Sequence, residues 1–476
     1  MRVFLFVLFL LCIAFRSPAQ DSLVAQDSMV AVSMQQLYEI ILQNHPVVQQ
    51  ARLLDDAARQ ELLYAKGFFD PKIEVRYDAK RFNNTDYFNI WDNVLKIPTW
   101  INTDLKLGYE RNSGEYLNDE LSVPDDGLIY AGVSIPVGQG LFIDSRRAIL
   151  RQAQLMNGIA DAEIVKVINK TLLQANKDYW NWYWSYENFR LYSEALKLAQ
   201  IRFRAIKNNV EYGDNAPIDS VEAKIQVQTR SIERKQAFVD FINAGLILSN
   251  HLWNDEGMAV ILSENAYPVA PDSLWSFIGE DTLYMLMDSA RQNHPELVKL
   301  GLKQQQFEIE RSLARENLKP VLNFNYNFLT ETTGSALDRN GQFFRNDYKL
   351  GLEFSFPLFL RKERAKLEQT NIKIIENNLD QLQKRRWIVN EINTSFNELQ
   401  TLFDLIEEQE QMVINYEDLL AAEILNFQSG ESSVFLINNR ESKLIEARQK
   451  LLAFEVKYQK AKATLYWAAG VTNLDL

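Results

Sequence analysis

Residues 361–428 read RKERAKLEQTNIKIIENNLDQLQKRRWIVNEINTSFNELQTLFDLIEEQEQMVINYEDLLAAEILNFQ and contain neither glycine nor proline. Apolar side chains recur here at steps of 3, 4 or 7 residues, the spacing of a coiled-coil seam. The seam residues are Ile375, Leu379, Leu382, Val389, Ile392, Phe396, Leu399, Phe403, Ile406, Val413, Tyr416, Leu420, Ile424 and Phe427. At 1.5 Å per residue, about 68 residues form a helix of roughly 100 Å. The stretch therefore predicts an elongated molecule and not a globular domain.

The chain shows one organisation twice. Gln43-Asn44-His45-Pro46 recurs as Gln292-Asn293-His294-Pro295, and Arg147-Ala148 recurs as Arg364-Ala365. The spacing between matching motifs changes only at connections, where insertions are tolerated. We therefore predict two tandem repeats, each with a helix, two strands, a long helix, a glycine turn and a return helix. The predicted division is a signal peptide at 1–19, repeat one at 20–253, a linker at 254–280 and repeat two at 281–476.

The first residues have the pattern of a secretory signal. Arg2 precedes an apolar run over 3–14, and Ser17-Pro18-Ala19 forms a small-residue cleavage site. A membrane anchor is the alternative, but the run is too short to span a bilayer. The only cysteine, Cys12, lies in this segment, so we expect no disulfide, thiolate or cysteine–metal chemistry in the mature chain. Removing Arg2 and Arg16 takes the formal charge from −12 to −14, which argues against nucleic acid as a partner.

Four stretches alternate apolar and polar side chains: 72–78, 129–135, 321–329 and 348–356. In 321–329, for example, Phe324, Tyr326 and Phe328 share one face, and the residues between them are asparagines. This pattern favours a membrane barrel with an apolar outside and a polar inside. A soluble antiparallel sheet with one wet face is the alternative. Beyond the signal, no run of about 18 apolar residues predicts a transmembrane helix, so a membrane location would require a closed barrel.

The strand count bears on the oligomeric state. Four strands cannot close a barrel, which takes about 8, so the barrel interpretation requires an oligomer, and a trimer would supply twelve strands. Residues 101–110 also alternate, within the surplus 83–126 of repeat one. We expect an extracellular hairpin arm there, because a fifth strand in the barrel would break the even count.

An aromatic run marks the long helix predicted for repeat one at 144–212. Its members are Tyr179, Trp180, Trp182, Tyr183, Trp184, Tyr186, Phe189 and Tyr192. They cover almost the whole circumference of the helix. A ligand platform is conceivable, but we expect burial between neighbouring helices and the linker, because so dense an apolar surface must be covered.

The order, duplication and spacing of these motifs resemble those of TolC-type outer-membrane factors over essentially the whole mature chain. The resemblance also rests on strands that end at Pro136 and Pro357 and on glycine turns at Gly213 and Gly430. It implies a mainly α fold with a β-barrel part. In that fold a trimeric outer-membrane β-barrel, with about four strands per protomer, continues into a long α-helical coiled-coil barrel. It further implies a Gram-negative outer membrane with its lipid, and helices in the periplasm.

The resemblance also implies partners and sites. The partners are two further copies in a homotrimer, a periplasmic membrane-fusion adaptor and an inner-membrane pump of the RND or ABC type. The adaptor-docking tips would be Gly213, Asp214, Asn215 and Ala216, with Gly430, Glu431, Ser432, Ser433 and Val434. A reversal between long helices requires positive φ, which glycine adopts readily. Asp219 or Ser432 can cap the returning helix.

The candidate pore constriction departs from the family pattern. Family members can close the tip with aspartate rings six and nine positions past the second tip glycine. Leu436 and Asn439 stand at those positions here, so that gate is absent. The equivalent offsets in repeat one fall on Asp219 and Glu222, which suggests a cation-attracting constriction there.

Signals of an enzyme are absent from the sequence, which has no glycine-rich phosphate loop and no nucleophile elbow. His45 and His294 each precede a proline, which indicates a helix restart more strongly than a metal ligand. We therefore expect no catalysis, cofactor or metal. The predicted function is a passive exit duct for efflux or type I secretion. A secreted or periplasmic coiled-coil rod with a structural or adhesive role is the alternative, and a general porin is disfavoured because porins need no 100 Å helices.

Overall fold

The structure is a computed structural model that describes residues 30–213, 216–270, 274–331 and 347–471. The predicted signal peptide at 1–19 lies outside these ranges. In chain order the elements are β1 (Val30–Val32), α1 (Met34–Asn44), α2 (Pro46–Gly67), β2 (Lys72–Phe82), β3 (Thr85–Pro98), β4 (Asp104–Ser113), β5 (Leu128–Pro136), α3 (Ser145–Tyr212), α4 (Pro217–Ser249), β6 (Ala266–Pro268), α5 (Glu280–Asn293), α6 (Pro295–Glu316), β7 (Val321–Glu331), β8 (Tyr348–Ser355), α7 (Arg361–Gln428) and α8 (Val434–Ala468).

Two helices of 68 residues, α3 and α7, set the length of the molecule. Helix α7 has the bounds that the sequence predicts, and α4 and α8 return along α3 and α7. The middle of the predicted seam is buried from Ile392 to Val413, apart from the half-buried Phe403, whereas its first part at Ile375 and Leu379 is exposed. No helix within the described ranges is apolar over a length that could cross a membrane.

Two histidines divide the shorter helices. The predicted helices at 34–66 and 281–317 are each two helices, because the chain leaves helical geometry at His45 and at His294. Each ring caps the next helix: Nδ1 of His45 accepts from the Val47 N–H at 3.2 Å, and Nδ1 of His294 accepts from the Glu296 N–H at the same distance. The following proline lies in the first turn. The predicted helix restart is confirmed.

The main sheet has six antiparallel strands in the order β2-β3-β4-β5-β7-β8. This corrects the prediction of about four strands per protomer. The prediction of an extracellular arm at 101–110 is also wrong, because β4 pairs with β3 on one side and β5 on the other along its length. The surplus 83–126 supplies two strands and not one, so the even count is preserved.

The aromatic run forms the centre of the largest apolar core, as predicted. Tyr179 and Trp182 are fully buried, and Trp180 and Tyr183 nearly so. The Tyr179 hydroxyl lies 2.9 Å from the carbonyl oxygen of Val32 and 2.8 Å from that of Val269. It thus joins α3 to the small parallel sheet formed by β1 and β6. Strand β6 lies within the predicted linker at 254–280. Tyr186, Phe189 and Tyr192 are half-buried, and Trp184 is exposed.

The reversal between α7 and α8 uses a glycine in the left-handed region. Gly430 has φ 79°, its N–H donates to Phe427 O at 3.1 Å, and the Glu431 N–H donates to Asn426 O at 2.9 Å. These two bonds form a Schellman motif. The cap of α8 is Ser433, whose side chain accepts from the Leu436 N–H. The expected cap at Ser432 is therefore wrong by one residue.

We predict that Gly430→Ala loosens this turn. The alanine would meet no atom within 4 Å, so its cost is the left-handed backbone alone, about 1–2 kcal/mol. Amide hydrogen exchange around residues 425–437 should accelerate roughly 5–30-fold. The control is Gly301→Ala, also in open space but within helix α6 at ordinary φ. It should stabilise its helix by about 0.5–1 kcal/mol, and equal loosening by both variants would contradict the prediction.

Candidate functional site

The turn that follows α3 and the turn between α7 and α8 lie together at one end of the helices. Ile206 of α3, Ala223 of α4 and Val434 of α8 form a buried cluster there, and Phe203, Val210 and Phe427 pack against it. Apolar contact between all four long helices thus joins two turns that are over 200 positions apart in sequence. We call the two turns and this cluster the tip.

An arginine ties α3 to α8 just above the tip cluster. Both terminal nitrogens of Arg202 donate to the Glu441 carboxylate, at 3.0 and 3.1 Å, and one of them also donates to Asn438 Oδ1 at 3.1 Å. The Glu441 side chain is only 5% exposed. Bidentate pairs of this kind fix geometry as well as adding energy. This pair was not predicted from the sequence, because the two residues are 239 positions apart and no local pattern links them.

A second polar group lies across the turn between α7 and α8. The Glu423 carboxylate accepts a hydrogen bond from the Ser432 hydroxyl and one from Arg440 Nε at 3.3 Å. The hydrogen bond from Ser432 and the nearby Arg440 charge lower the pKa of Glu423. Ser432 therefore braces the turn from its own side chain to the preceding helix.

The structure places the predicted tip residues as follows. Gly213 ends α3 at φ 87°, and its N–H donates to Asn209 and Val210 carbonyls. Ala216 precedes α4 and is exposed, whereas Asp214 and Asn215 lie outside the described residues. In the second turn Gly430, Glu431 and Ser433 are exposed, Ser432 is half-buried and Val434 is buried.

The candidate constriction residues lie in the first two turns of the return helices. Asp219 and Glu222 are half-buried near the start of α4, and Leu436 and Asn439 are exposed near the start of α8. Asp219 is in the first helical turn, where a carboxylate interacts favourably with the helix dipole. The N-cap position of α4 is Ala216, and Asp219 lies at the third position within the helix.

The six-stranded sheet has two faces of opposite character across its whole width. One row of directly paired residues is apolar on every strand: Ile73, Leu95, Leu107, Ala131, Phe328 and Tyr348. The next row along the strands is polar apart from one glycine: Lys72, Lys96, Lys106, Gly132, Asn327 and Lys349. The apolar face is largely open in the single chain, with Ile73 78% and Phe354 67% exposed.

The histidines have structural partners. His251 lies 2.8 Å from Asp178 through Nε2, and its ring stacks near that of His45. Burial and the neighbouring His251 lower the pKa of His45, and burial lowers the pKa of His294 to about 4. In the parts of the chain that the structure describes, no group of His, Cys, Asp or Glu could hold a metal ion.

Known proteins match the chain in sequence over part of its length and in fold over most of it. The family model of outer membrane efflux proteins matches residues 286–471. No curated protein sequence matches. Among solved structures, a Pseudomonas aeruginosa membrane protein has 14% identity and a TM-score of 0.65, covering 97% of this chain and 96% of its own.

Two outer membrane channels share the fold as well. The Campylobacter jejuni CmeC channel has 13% identity and a TM-score of 0.62, with 92% of this chain and 85% of that one covered. The Neisseria gonorrhoeae MtrE channel, in its open state, has 12% identity and a TM-score of 0.63, with 92% and 89% covered. The prediction that the chain is not an enzyme is confirmed, because the proteins it matches are passive channels. The chain is thus similar to outer membrane efflux proteins in sequence over residues 286–471, and it shares the fold of solved outer membrane channels over most of its length.

Proposed function

We propose that this protein is the passive exit duct of an export system in the outer membrane of a Gram-negative bacterium. It works as a homotrimer whose sheets lie in the outer-membrane lipid and whose helices extend into the periplasm. A periplasmic adaptor and an inner-membrane pump of the RND or ABC type supply the drive for efflux or type I secretion. The observation that carries this proposal is a sheet with an apolar outer row, open at both edges and continued by helices of 68 residues.

The sheet edges support the trimer. Within the described ranges, β2 and β8 pair with a neighbour on one side only. In lipid, every backbone N–H and C=O must be paired. Strand β8 runs antiparallel to β2, so β8 of one copy can pair with β2 of the next in the same sense as every other pair in the sheet.

Uncovered apolar stripes on the helices also support the trimer. One stripe follows α4 at coiled-coil spacing: Ile218, Val221, Ile225, Ile232, Val239 and Leu246. Another opens α7: Ile372, Ile375, Leu379 and Leu382. Each of these side chains is about half exposed or more in the single chain. Contiguous apolar surface of this extent marks an interface, and a second copy would cover it.

The tip is the part that we propose for adaptor docking. Around the two turns, Tyr212 and Phe435 are 84% and 61% exposed. Exposed apolar side chains beside the polar Glu431 and Ser433 form a surface on which hairpins of an adaptor could pack.

The division of the chain into two repeats with a linker at 254–280 remains a proposal, supported by the recurrence of the same element order.

We predict that the double substitution Ile225→Lys and Ile232→Lys abolishes trimerisation. A lysine ammonium buried between copies costs several kcal/mol. In mild detergent, light scattering should therefore report one third of the wild-type protein mass. The control carries Ile225→Leu and Ile232→Leu, which keep the apolar surface and should remain trimeric. A trimer mass for the lysine double variant would contradict the proposed interface. Recovery of the wild-type protein without detergent would favour the alternative of a coiled-coil rod.

We predict that deletion of the gene sensitises cells to toxic compounds or blocks export of a protein. The wild-type gene and the leucine double variant should restore the phenotype, and the lysine double variant should not. Unchanged growth and unchanged export in every condition tested would count against the duct.

We also propose that Asp219 and Glu222 attract cations to the narrow end of the duct. We predict that Asp219→Asn with Glu222→Gln removes the cation preference of channels reconstituted in planar bilayers, measured as the reversal potential in a salt gradient. Glu431→Gln, which removes a tip carboxylate outside the candidate constriction, should leave the reversal potential close to that of wild type. An unchanged reversal potential in the double variant would refute the role.

A further inference from the structure

The connection between β3 and β4 lies at the helical end of the sheet. The Trp100 ring stacks on Phe69, which follows α2, with 4.5 Å between ring centroids. Asn102 is buried in the left-handed region at φ 62°, and its Nδ2 donates to the carbonyl oxygen of Gly140 at 2.7 Å. Strands β3 and β4 therefore run from the far end of the sheet to the start of the helices and back.

Arg146, at the start of α3, holds this connection. Its Nη2 donates to Asn102 Oδ1 at 2.6 Å, and its Nη1 donates to Asp104 Oδ1 at 2.9 Å. The Arg146 side chain is 21% exposed. An extracellular arm would have no means of reaching this helix, so the contact is specific to strands that cross the sheet.

The polar face of this strand pair is joined to the strands on both sides. Tyr130 of β5 reaches over β4 at Gly108 and its hydroxyl donates to Asp92 Oδ1 of β3 at 2.8 Å. A Cβ at Gly108 would lie 2.1 Å from the Tyr130 ring, so this crossing requires glycine. On the other side, Lys96 of β3 donates to the Glu74 carboxylate of β2.

We propose that β3 and β4 are membrane-spanning strands of the barrel wall, and that the trimer closes as a barrel of eighteen strands. The proposal rests on the proposed trimer, because three copies of a six-stranded sheet give eighteen strands. Strand β3 has 14 residues and β4 has 10, and either length is enough to cross a bilayer when the strand is tilted. Barrel diameter grows roughly linearly with strand number, so this exit is about 1.5 times as wide as a twelve-stranded one. The narrowest part of the duct is then in the helices and not in the barrel.

Single cysteines test the location of the two strands. The only native cysteine, Cys12, lies in the predicted signal peptide, so the background is clean. Leu107→Cys and Lys106→Cys are the test pair on β4. Phe328→Cys and Asn327→Cys on β7 are the matched pair, because they belong to the same apolar and polar rows. Each variant is treated in intact outer-membrane vesicles with a membrane-impermeant maleimide and separately with a lipid-soluble one.

The proposal expects the same alternation on β4 as on β7. The impermeant maleimide should label positions 106 and 327 at least tenfold faster than positions 107 and 328, and the lipid-soluble reagent should label the latter two. Equal, fast labelling of 106 and 107 by the impermeant reagent, with alternation kept on β7, would overturn the eighteen-stranded wall and leave the duct intact. Loss of alternation on β7 as well, in protein that runs as a monomer, would sink the proposed trimeric duct itself.

Deleting the strand pair tests the width. A variant in which Asn-Gly replaces residues 83–127 pairs Phe82 with Leu128, so β2 and β5 become antiparallel neighbours whose odd-numbered apolar residues share one face. Uncharged polymers added from the outer side lower the single-channel conductance only if they enter the barrel. The largest polymer that enters should shrink in diameter to about two thirds of the wild-type value. An unchanged size limit for polymer entry, in a variant that still folds as a trimer, would overturn the proposal of a wider exit. If the deletion variant does not fold, the cysteine pairs alone decide the location of the strands.

Discussion

The duct that we propose depends on one constraint: within lipid, no water is present to replace a missing backbone hydrogen bond. A single chain offers a curved sheet whose inner strands are fully paired, while β2 and β8 keep one open side. When β8 of one copy pairs with β2 of the next, no strand edge is left open. This pairing is antiparallel, like the others in the sheet, only if each copy contributes an even number of strands. Insertion of a strand pair at 83–126 respects this constraint, whereas insertion of one strand would not. In the trimer that we propose, neighbouring copies cover these open edges and the apolar stripes of the helices.

The junction between sheet and helices shows how the local sequence serves this constraint. Asp144 caps α3 by accepting from the Arg147 N–H at 2.8 Å, and the two arginines that follow it bind in different directions. Arg147 donates to the carbonyl oxygen of Gly140 at 2.6 Å and stabilises the chain entering the helix. Arg146 binds the connection between β3 and β4. Arg146 directly precedes the repeated Arg147-Ala148 motif, and Glu363 stands at the equivalent position before Arg364-Ala365.

Much of the fold could be predicted from the sequence where one period dominates. The bounds of α7 were predictable because 68 residues without glycine or proline carry a single 3.5-residue period. Strand β3 was missed because its faces are mixed: Asn93 interrupts the apolar row, and Val94 is a buried apolar residue on the polar face. The alternation in β4 was visible in the sequence. Its pairing with β3 was not, because β3 itself was not recognised as a strand. The Arg202–Glu441 pair at the tip depends on the packing of α3 against α8, which no local pattern encodes.

The widths of the two parts of the proposed duct, the barrel and the helical tube, can be compared by geometry. The helices adjoining the sheet, α2, α3, α6 and α7, contact one another in that order. Four helices at 8–10 Å spacing occupy roughly 32–40 Å of circumference per copy. Strands about 4.8 Å apart and tilted by about 40° each occupy roughly 6–7 Å of circumference, so six strands occupy about 40 Å and four only about 25 Å. Six strands thus match the circumference of the helices beneath them, and the barrel can continue the helical tube without narrowing. The connection between β3 and β4 is anchored at the start of α3, where the sheet meets the helices. The extra strand pair therefore reaches the level at which the two circumferences have to match.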